Sequence, residues 1–397
     1  MQPTIYIVDD QPEVLETAIL VVRGVMPEAL VTGFTNPEKA LAAIQSNPPR
    51  LILSDQIMPG MQGSELLEEV RLAAPGTLRI MMSGYVALDQ LHVITSAHQY
   101  VAKPFDALEL KELLRRTFAA QDRFGDKRLQ FLVTSLRSLP SLPQVHHTLL
   151  SELQDNRGAS ATIGQMISQD AGLSAKVLQL ANSPLFGREY VVSNPAEAVV
   201  CLGTRMIAAV VLAQSLFKHY KATRHQELDV SKVWNHSWET AALAQRYCRE
   251  KALPRSDGDE AFLAGLLHET GRLILVDNFP TEYQSACEAA RKENLSLTDA
   301  LAKTFGTTPS QIAAFLLDLW GMPPGAVQAV SELDRAARQS ATDFSMASAL
   351  YIADQMATRN SPPDQFLAAE WDADYVRSIG CPPEVEAWDR TVFTSGR

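Results

Sequence analysis

Asp9 and Asp10 directly follow a short apolar run, and Asp55 follows another. Carboxylates that end the strands of a parallel sheet converge on one edge of it, which is where ligands bind in such sheets. Three of them there repel one another unless a cation sits among them. Few, hard oxygen donors that leave room for water and a phosphoryl group suit magnesium better than zinc or calcium. Asp55 then has the chemistry of a nucleophile toward a phosphoryl donor, weak alone but competent once a metal and a cationic side chain offset the charge on the transferring group. Lys103, after the fifth apolar run, is placed to supply that cation, and Ser83, after the fourth, offers a hydroxyl to a phosphoryl oxygen. Turning an aspartate into an acyl phosphate adds negative charge and strong acceptor atoms, a local change that a two-state surface can read out.

A second set of residues lies far along the chain. His236 precedes a helical run, His268-Glu269 closes the apolar stretch Phe262 to Leu267, and Asp354 sits in a further helical stretch. Two imidazoles and two carboxylates can bind a divalent metal and activate water against a phosphoester. The competing expectation is a group of polar side chains hydrogen-bonded inside a helical core.

The elements that must position these residues differ along the chain. Ile5 to Val8, Leu30 to Phe34, Leu51 to Leu53, Leu78 to Met82 and Tyr100 to Ala102 are continuous apolar runs, as expected of strands covered on both faces. Helical patterns begin near Pro12, Pro37, Gly63, Ala87 and Ala107, so the order is strand then helix five times over, and the fold class is an α/β doubly wound five-stranded parallel sheet of the flavodoxin-like kind. In the last of these helices Leu110, Leu114 and Phe118 share a face, and the pattern can run on toward Leu139 as a helical linker or a dimer seam. Leu139-Pro140-Ser141-Leu142-Pro143 then breaks it, because each proline removes an amide donor and restricts the residue before it. From Val145 to Met356 apolar residues recur at helical spacing with no clear strand, so an all-α domain follows.

With 397 residues the chain is long enough for two or three domains, and 46% hydrophobic with 20% charged residues is ordinary for an ordered protein. A net charge of -11 opposes sequence-independent binding to a phosphate backbone, so nucleic acid is not an expected partner. Cys201, Cys248, Cys287 and Cys381 form no CxxC pair, which argues for buried thiols rather than a disulfide framework or a thiolate zinc site. No apolar run reaches the roughly 18 residues that span a bilayer, and no signal peptide is evident at the start; the expectation is a cytoplasmic protein without a membrane partner.

Asp9-Asp10, the run Asp55-Gln56-Ile57-Met58-Pro59-Gly60-Met61-Gln62-Gly63, Ser83-Gly84-Tyr85 and Lys103-Pro104-Phe105 together resemble the receiver domain of response regulators. The resemblance implies that Asp55 accepts a phosphoryl group from a sensor histidine kinase. It further implies that Asp10, Asp55 and the Ile57 carbonyl hold magnesium with Asp9 acting through water, that Lys103 contacts the phosphoryl group, and that Ser83 and Tyr100 form the switch pair.

His236, His268-Glu269 and Asp354 resemble the pattern of the HD phosphohydrolase superfamily, with glutamate where its second carboxylate is aspartate. Pro309 and Leu333-Asp334 stand where its binuclear cyclic-dinucleotide phosphodiesterases carry further histidines. The better resemblance is to the HDOD family, a helical relative regarded as lacking hydrolase activity. It is carried by Leu139-Pro140-Ser141-Leu142-Pro143, Ile167-Ser168-Gln169-Asp170-Ala171-Gly172-Leu173, Leu180-Ala181-Asn182-Ser183-Pro184, Ala198 to Gly203 and Ala264-Gly265-Leu266-Leu267-His268. The expected organisation is a receiver over 1–122, a helical linker over 123–138, an HDOD all-α output domain over 139–335 and a helical extension packed on it over 336–397. The expected function is two-component signal transduction in which Asp55 controls a non-catalytic output domain acting on a downstream signalling protein, or on a second copy of the chain. A metal-dependent HD-type phosphodiesterase acting on a cyclic dinucleotide is the alternative, and a direct transcription factor is disfavoured by the acidic charge.

Overall fold

The strands of the first unit are short because each must cross one buried layer and emerge at the edge where chemistry is done. In the computed structural model, which describes residues 2–83, 97–136, 163–164, 167–168, 171–182, 192–222, 228–333, 342–360 and 371–388, they are β1 (Thr4–Val8), β2 (Leu30–Phe34), β3 (Leu51–Asp55), β4 (Leu78–Ser83) and β5 (Gln99–Ala102). All pair in parallel in the order β2-β1-β3-β4-β5, with Val8 level with Ser54 and Asp55 level with Met82. Every residue of β3 and β4 is buried, as sequences without polar alternation require. The expected strands are all present, most of them a residue or two longer than the apolar runs.

Helices α1 (Pro12–Val25), α2 (Pro37–Ser46), α3 (Gly63–Ala73) and α4 (Ala107–Arg123) cover the sheet. Proline opens α1 and α2, where its missing amide costs nothing; Asn36 caps α2 by accepting from the Lys39 amide at 2.9 Å, and a Gln62–Glu65 capping box opens α3. Tyr6, Val8, Ile52, Leu66, Leu67, Val70 and Met81 form one core between the sheet and α2–α3. The helix expected near Ala87 lies outside the described residues. The helix expected to run on from α4 does not: the chain turns at Phe124–Asp126 and a separate α5 (Lys127–Ser135) begins, capped by Asp126 on the Arg128 amide. Gln130 closes the turn by donating to the Gln121 and Phe124 carbonyls at 2.6 and 2.9 Å.

The rest of the described chain is helical: α6 (Ala171–Ala181), α7 (Pro195–Leu202), α8 (Thr204–Ala222), α9 (Val230–Glu250), α10 (Arg255–Leu267), α11 (Thr270–Asn278), α12 (Pro280–Glu293), α13 (Leu297–Phe305), α14 (Pro309–Leu319), α15 (Pro324–Ser331), α16 (Met346–Asn360) and α17 (Ala373–Ser378). Contacts divide the chain into one unit of Met1–Ser141 with Phe315–Gly321 and another of Leu142–Ala314 with Met322–Arg397. In the second, α9 packs chiefly on α10 and α16. Residues 371–388 fold back on those helices: the Trp388 carbonyl accepts from Tyr247 on α9, and the Asp372 amide donates to Tyr351 on α16. Asn182, just past α6, brackets Val192 by accepting from its amide and donating to its carbonyl, both at 2.7 Å, so it joins two backbone segments.

The crossing of α9 and α10 rests on Gly265. A Cβ there would lie 2.4 Å from the Ala241 Cα, so only a bare backbone allows the helices this close. Gly265→Val should force them apart at a cost of about 2 kcal/mol or more. Denaturant unfolding of the full chain checks this through the midpoint of the helical unit, and an unchanged midpoint would contradict the packing described.

Candidate functional site

The carboxylate site is assembled from strand ends. The Asp9 amide donates to the Phe34 carbonyl at 3.0 Å, continuing the β1–β2 ladder one residue past the strand, and its Oδ1 accepts from the Gln11 amide at 3.0 Å. Asp55, only 5% exposed, is the last residue of β3, and its Oδ2 accepts from the Ile57 amide at 3.1 Å. The turn after Asp55 is held by Gly63 at the start of α3. Its amide donates to the Gln56 carbonyl at 2.9 Å, and a Cβ would fall 1.9 Å from the Asp55 carbonyl oxygen, so no other residue fits without moving the site. Gln56 adds a second tie, exchanging hydrogen bonds with the Ser64 amide and hydroxyl. In the sequence Gly63 stands as a helix start and as part of a motif; its physical work is this approach of helix to strand end.

Lys103 follows β5 and its backbone amide donates to the Ser83 carbonyl at 2.7 Å. Its ammonium reaches across the edge to Asp9 Oδ2 at 2.7 Å and Asp55 Oδ1 at 2.5 Å. Burial works against its charge, but the bonds and attraction of Asp55 and Asp9 outweigh it and raise the Lys103 pKa, so the side chain stays cationic. Burial pushes the Asp55 carboxyl up; Lys103 and the Ile57 amide pull it down without cancelling that effect, and Asp9 adds repulsion.

One ammonium between two carboxylates leaves a third to be satisfied. Carboxylate oxygens of Asp9, Asp10 and Asp55 lie within 4.8 Å of one another, and Asp10 Oδ1 is buried with no hydrogen-bond partner among the described residues. A buried carboxylate oxygen without a donor beside two more carboxylates is a fit for a hard divalent cation such as magnesium. Ser83 is buried at the neighbouring strand end, and Tyr100 on β5 is packed by its ring against the sheet core, with burial raising its phenol pKa. The Ile57 side chain points out, 72% exposed, while its backbone lies at the site.

The second cluster is also brought together. His236 on α9 and Asp354 on α16 meet His268 and Glu269, which lie between α10 and α11. The two His Nε2 atoms are 3.2 Å apart, and Asp354 Oδ1 is 3.0 Å from that of His236 and 3.3 Å from that of His268. His268 Nδ1 lies 2.7 Å from the Gly265 carbonyl, which can only accept, so this nitrogen carries a proton and Nε2 faces the cluster. Burial disfavours charge on His268, but Asp354 and Glu269 outweigh it and raise its pKa; Asp354 is held far below the usual carboxylate range by the two imidazoles despite its burial.

Donors about 2.0–2.2 Å from a tetrahedral metal stand roughly 3.3 Å from one another, close to the spacing of this triangle, so His236, His268 and Asp354 could hold a first-row divalent ion. Glu269 is turned partly elsewhere. Its Oε1 is 3.7 Å from His268 Nε2, while Oε2 lies 3.6 Å from the buried Arg272, which also donates to the Tyr283 hydroxyl at 2.7 Å. Sequence reading missed Arg272, though its spacing of three residues from Glu269 on one helical face is a usable signal.

Comparison with known proteins agrees with both halves. Residues 5–115 match the response regulator receiver domain and residues 139–335 match the HDOD domain. The hydrogenase transcriptional regulatory protein HoxA of Cupriavidus necator is 33% identical over 128 residues, covering 32% of this chain and 26% of that protein. The DNA-binding transcriptional regulator NtrC of Salmonella typhimurium is 32% identical over 126 residues, covering 29% of this chain and 24% of its own. The chain thus spans about a quarter of the length of these relatives. An HDOD domain protein of unknown function from Geobacter sulfurreducens superposes with a TM-score of 0.52 at 19% identity, over 70% of this chain and 90% of that one, which shows a shared fold. With a five-stranded parallel sheet, an acidic strand edge and a helical second unit in place, the chain joins a response regulator receiver domain at residues 5–115 to an HDOD domain at residues 139–335.

Proposed function

We propose that a sensor histidine kinase loads a phosphoryl group onto Asp55, and that the HDOD domain passes the signal on by protein contact rather than by catalysis. In this reading the receiver covers 1–122, a linker 123–138, the output domain 139–335 and a packed extension 336–397, in the cytoplasm. Among the described residues no helix is long and apolar enough to cross a membrane.

The observation that carries the reading is Lys103 shared between Asp9 and Asp55 at the strand edge. Asp55 attacks the donor phosphorus, a new Oδ–P bond forms as the bond to the donor's leaving group breaks, and the electron pair departs with that group. Lys103 offsets charge on the transferring group and the Ser83 hydroxyl donates to one of its oxygens. Asp10, Asp55, the Ile57 carbonyl and Asp9 would hold magnesium, which would supply charge neutralisation between the carboxylates and the incoming phosphoryl group. Tyr100 then reports the new state of Ser83.

Acetyl phosphate with magnesium should label the wild-type chain, Asp55→Asn should reduce labelling to background, and Lys103→Met should slow it by about 10²-fold. Labelling of Asp55→Asn at the wild-type level would contradict the assignment.

The HDOD half supports a second reading. The His236–His268–Asp354 triangle has metal-ligand spacing, and HDOD domains are related to HD phosphohydrolases, so a metal-dependent phosphodiesterase acting on a cyclic dinucleotide is the alternative. Glu269 stands beside the two imidazoles, 3.7 Å from His268, and is shared with Arg272 at 3.6 Å, so its charge is divided between the cluster and that guanidinium. The adaptor reading expects no hydrolysis of a cyclic dinucleotide after incubation with manganese or iron. Stoichiometric metal lost together with hydrolysis in His268→Ala would select the enzyme.

A further inference from the structure

Arg79 is fully buried near the start of β4, an arrangement that costs several kcal/mol unless its donors are met. The strands around it spend their own carbonyls on the sheet ladder. The acceptors left over are those at the end of a helix, where the last four carbonyls have no partner within the helix and the dipole favours a cation. Arg79 Nη1 donates to the Thr134 carbonyl, in the last turn of α5, at 2.7 Å, and to the Thr77 carbonyl at 3.3 Å.

His98 backs Arg79 from the neighbouring segment. Its backbone amide donates to the Arg79 carbonyl at 2.8 Å and its Nδ1 accepts from the Arg79 amide at 3.0 Å, which fixes the backbone that carries the guanidinium. Burial beside Arg79 keeps that ring neutral by lowering its pKa well below the ordinary value, as an Nδ1 acceptor requires. The other end of α5 is fastened by Gln130 to the end of α4. Helix α5 is therefore tied at one end to the end of α4 and at the other to β4.

The clamp shares a face with the switch. Side chains two residues apart on a strand point the same way, so Arg79, Met81 and Ser83 form one column on β4. Tyr100 on β5 is level with Met81, and His98, just before β5, is bonded to Arg79, so both stand beside that column.

We propose that Arg79, braced by His98, is a latch on helix α5, and that phosphorylation is read out by release of this helix as Tyr100, level with Met81 between Arg79 and Ser83, moves toward Ser83. The latch stands on its own geometry; its coupling to phosphate rests on the Asp55 reading above.

Hydrogen exchange of the full-length chain tests both parts. Without phosphate, the amides of Leu132 to Leu136 should exchange at rates comparable with those of β4. Arg79→Met should accelerate them about tenfold or more while the amides of β1 and β3 keep their wild-type rates, and Arg79→Lys should fall between. Exchange in the wild type as fast as a frayed linker, or unchanged exchange in both variants, would overturn the latch, and the wild-type measurement does so even if neither variant folds. With acetyl phosphate and magnesium, the wild type should show faster exchange in α5 and Asp55→Asn should not. Slower or unchanged exchange in a chain shown by phosphate analysis to be labelled overturns the coupling alone. A chain that takes up no phosphate removes the Asp55 reading and the coupling with it, and leaves the latch to be judged by the first comparison.

Discussion

Two buried carboxylates share one ammonium at the edge of the receiver sheet, and much of the architecture of that unit serves to keep them there. The Lys103 ammonium lies between the fully buried Asp9 and Asp55 and offsets the repulsion of their carboxylates. The three groups come from the ends of β1, β3 and β5, so their distances are set by strand register rather than by loop conformation. Gly63 lets α3 begin against the Asp55 carbonyl and so fixes the turn that presents the carboxylate. The Asp10 oxygen that has no hydrogen-bond partner among the described residues, beside two further carboxylates, is what makes the edge fit a hard divalent cation.

The same constraint, that buried charge must be met from within, organises the other polar clusters. In the helical unit Asp354 answers two imidazoles while Arg272 answers Glu269, which divides the cluster into two pairings. The close crossing of α9 and α10 at Gly265 allows the first of them, since His236 and His268 lie on either side of that crossing. At the far end of the receiver sheet the buried Arg79 finds its acceptor in the end of α5.

Much of the receiver was legible in the sequence because its signals are local. Apolar runs ending in Asp9, Asp55, Ser83 and Lys103 state both the strands and the edge at which they finish, and Pro12, Pro37 and Gly63 mark helix starts that the structure reproduces. The helical unit was legible as a class, and its His268-Glu269 pair as a candidate site, because helical spacing and motif order survive without long-range information. What the sequence did not reveal depends on contacts between distant segments. Gly125 followed by the capping Asp126 is a local signal for the end of α4 that apolar spacing alone overrides, and the break is held by Gln130 reaching back to Gln121 and Phe124. The orientation of Glu269 toward Arg272, and the pairing of Arg79 with Thr134 across 55 positions, are likewise consequences of packing.

The central claim is that the carboxylate edge is a phosphoacceptor with one nucleophile. Its most direct measurement is reductive trapping: an aspartyl phosphate formed with acetyl phosphate and magnesium is reduced by borohydride to homoserine, and the modified position is read from peptide masses. The account predicts homoserine at residue 55 and at no other aspartate. Homoserine at position 9 or 10, or an unmodified Asp55 in a chain that has demonstrably taken up phosphate, would contradict it.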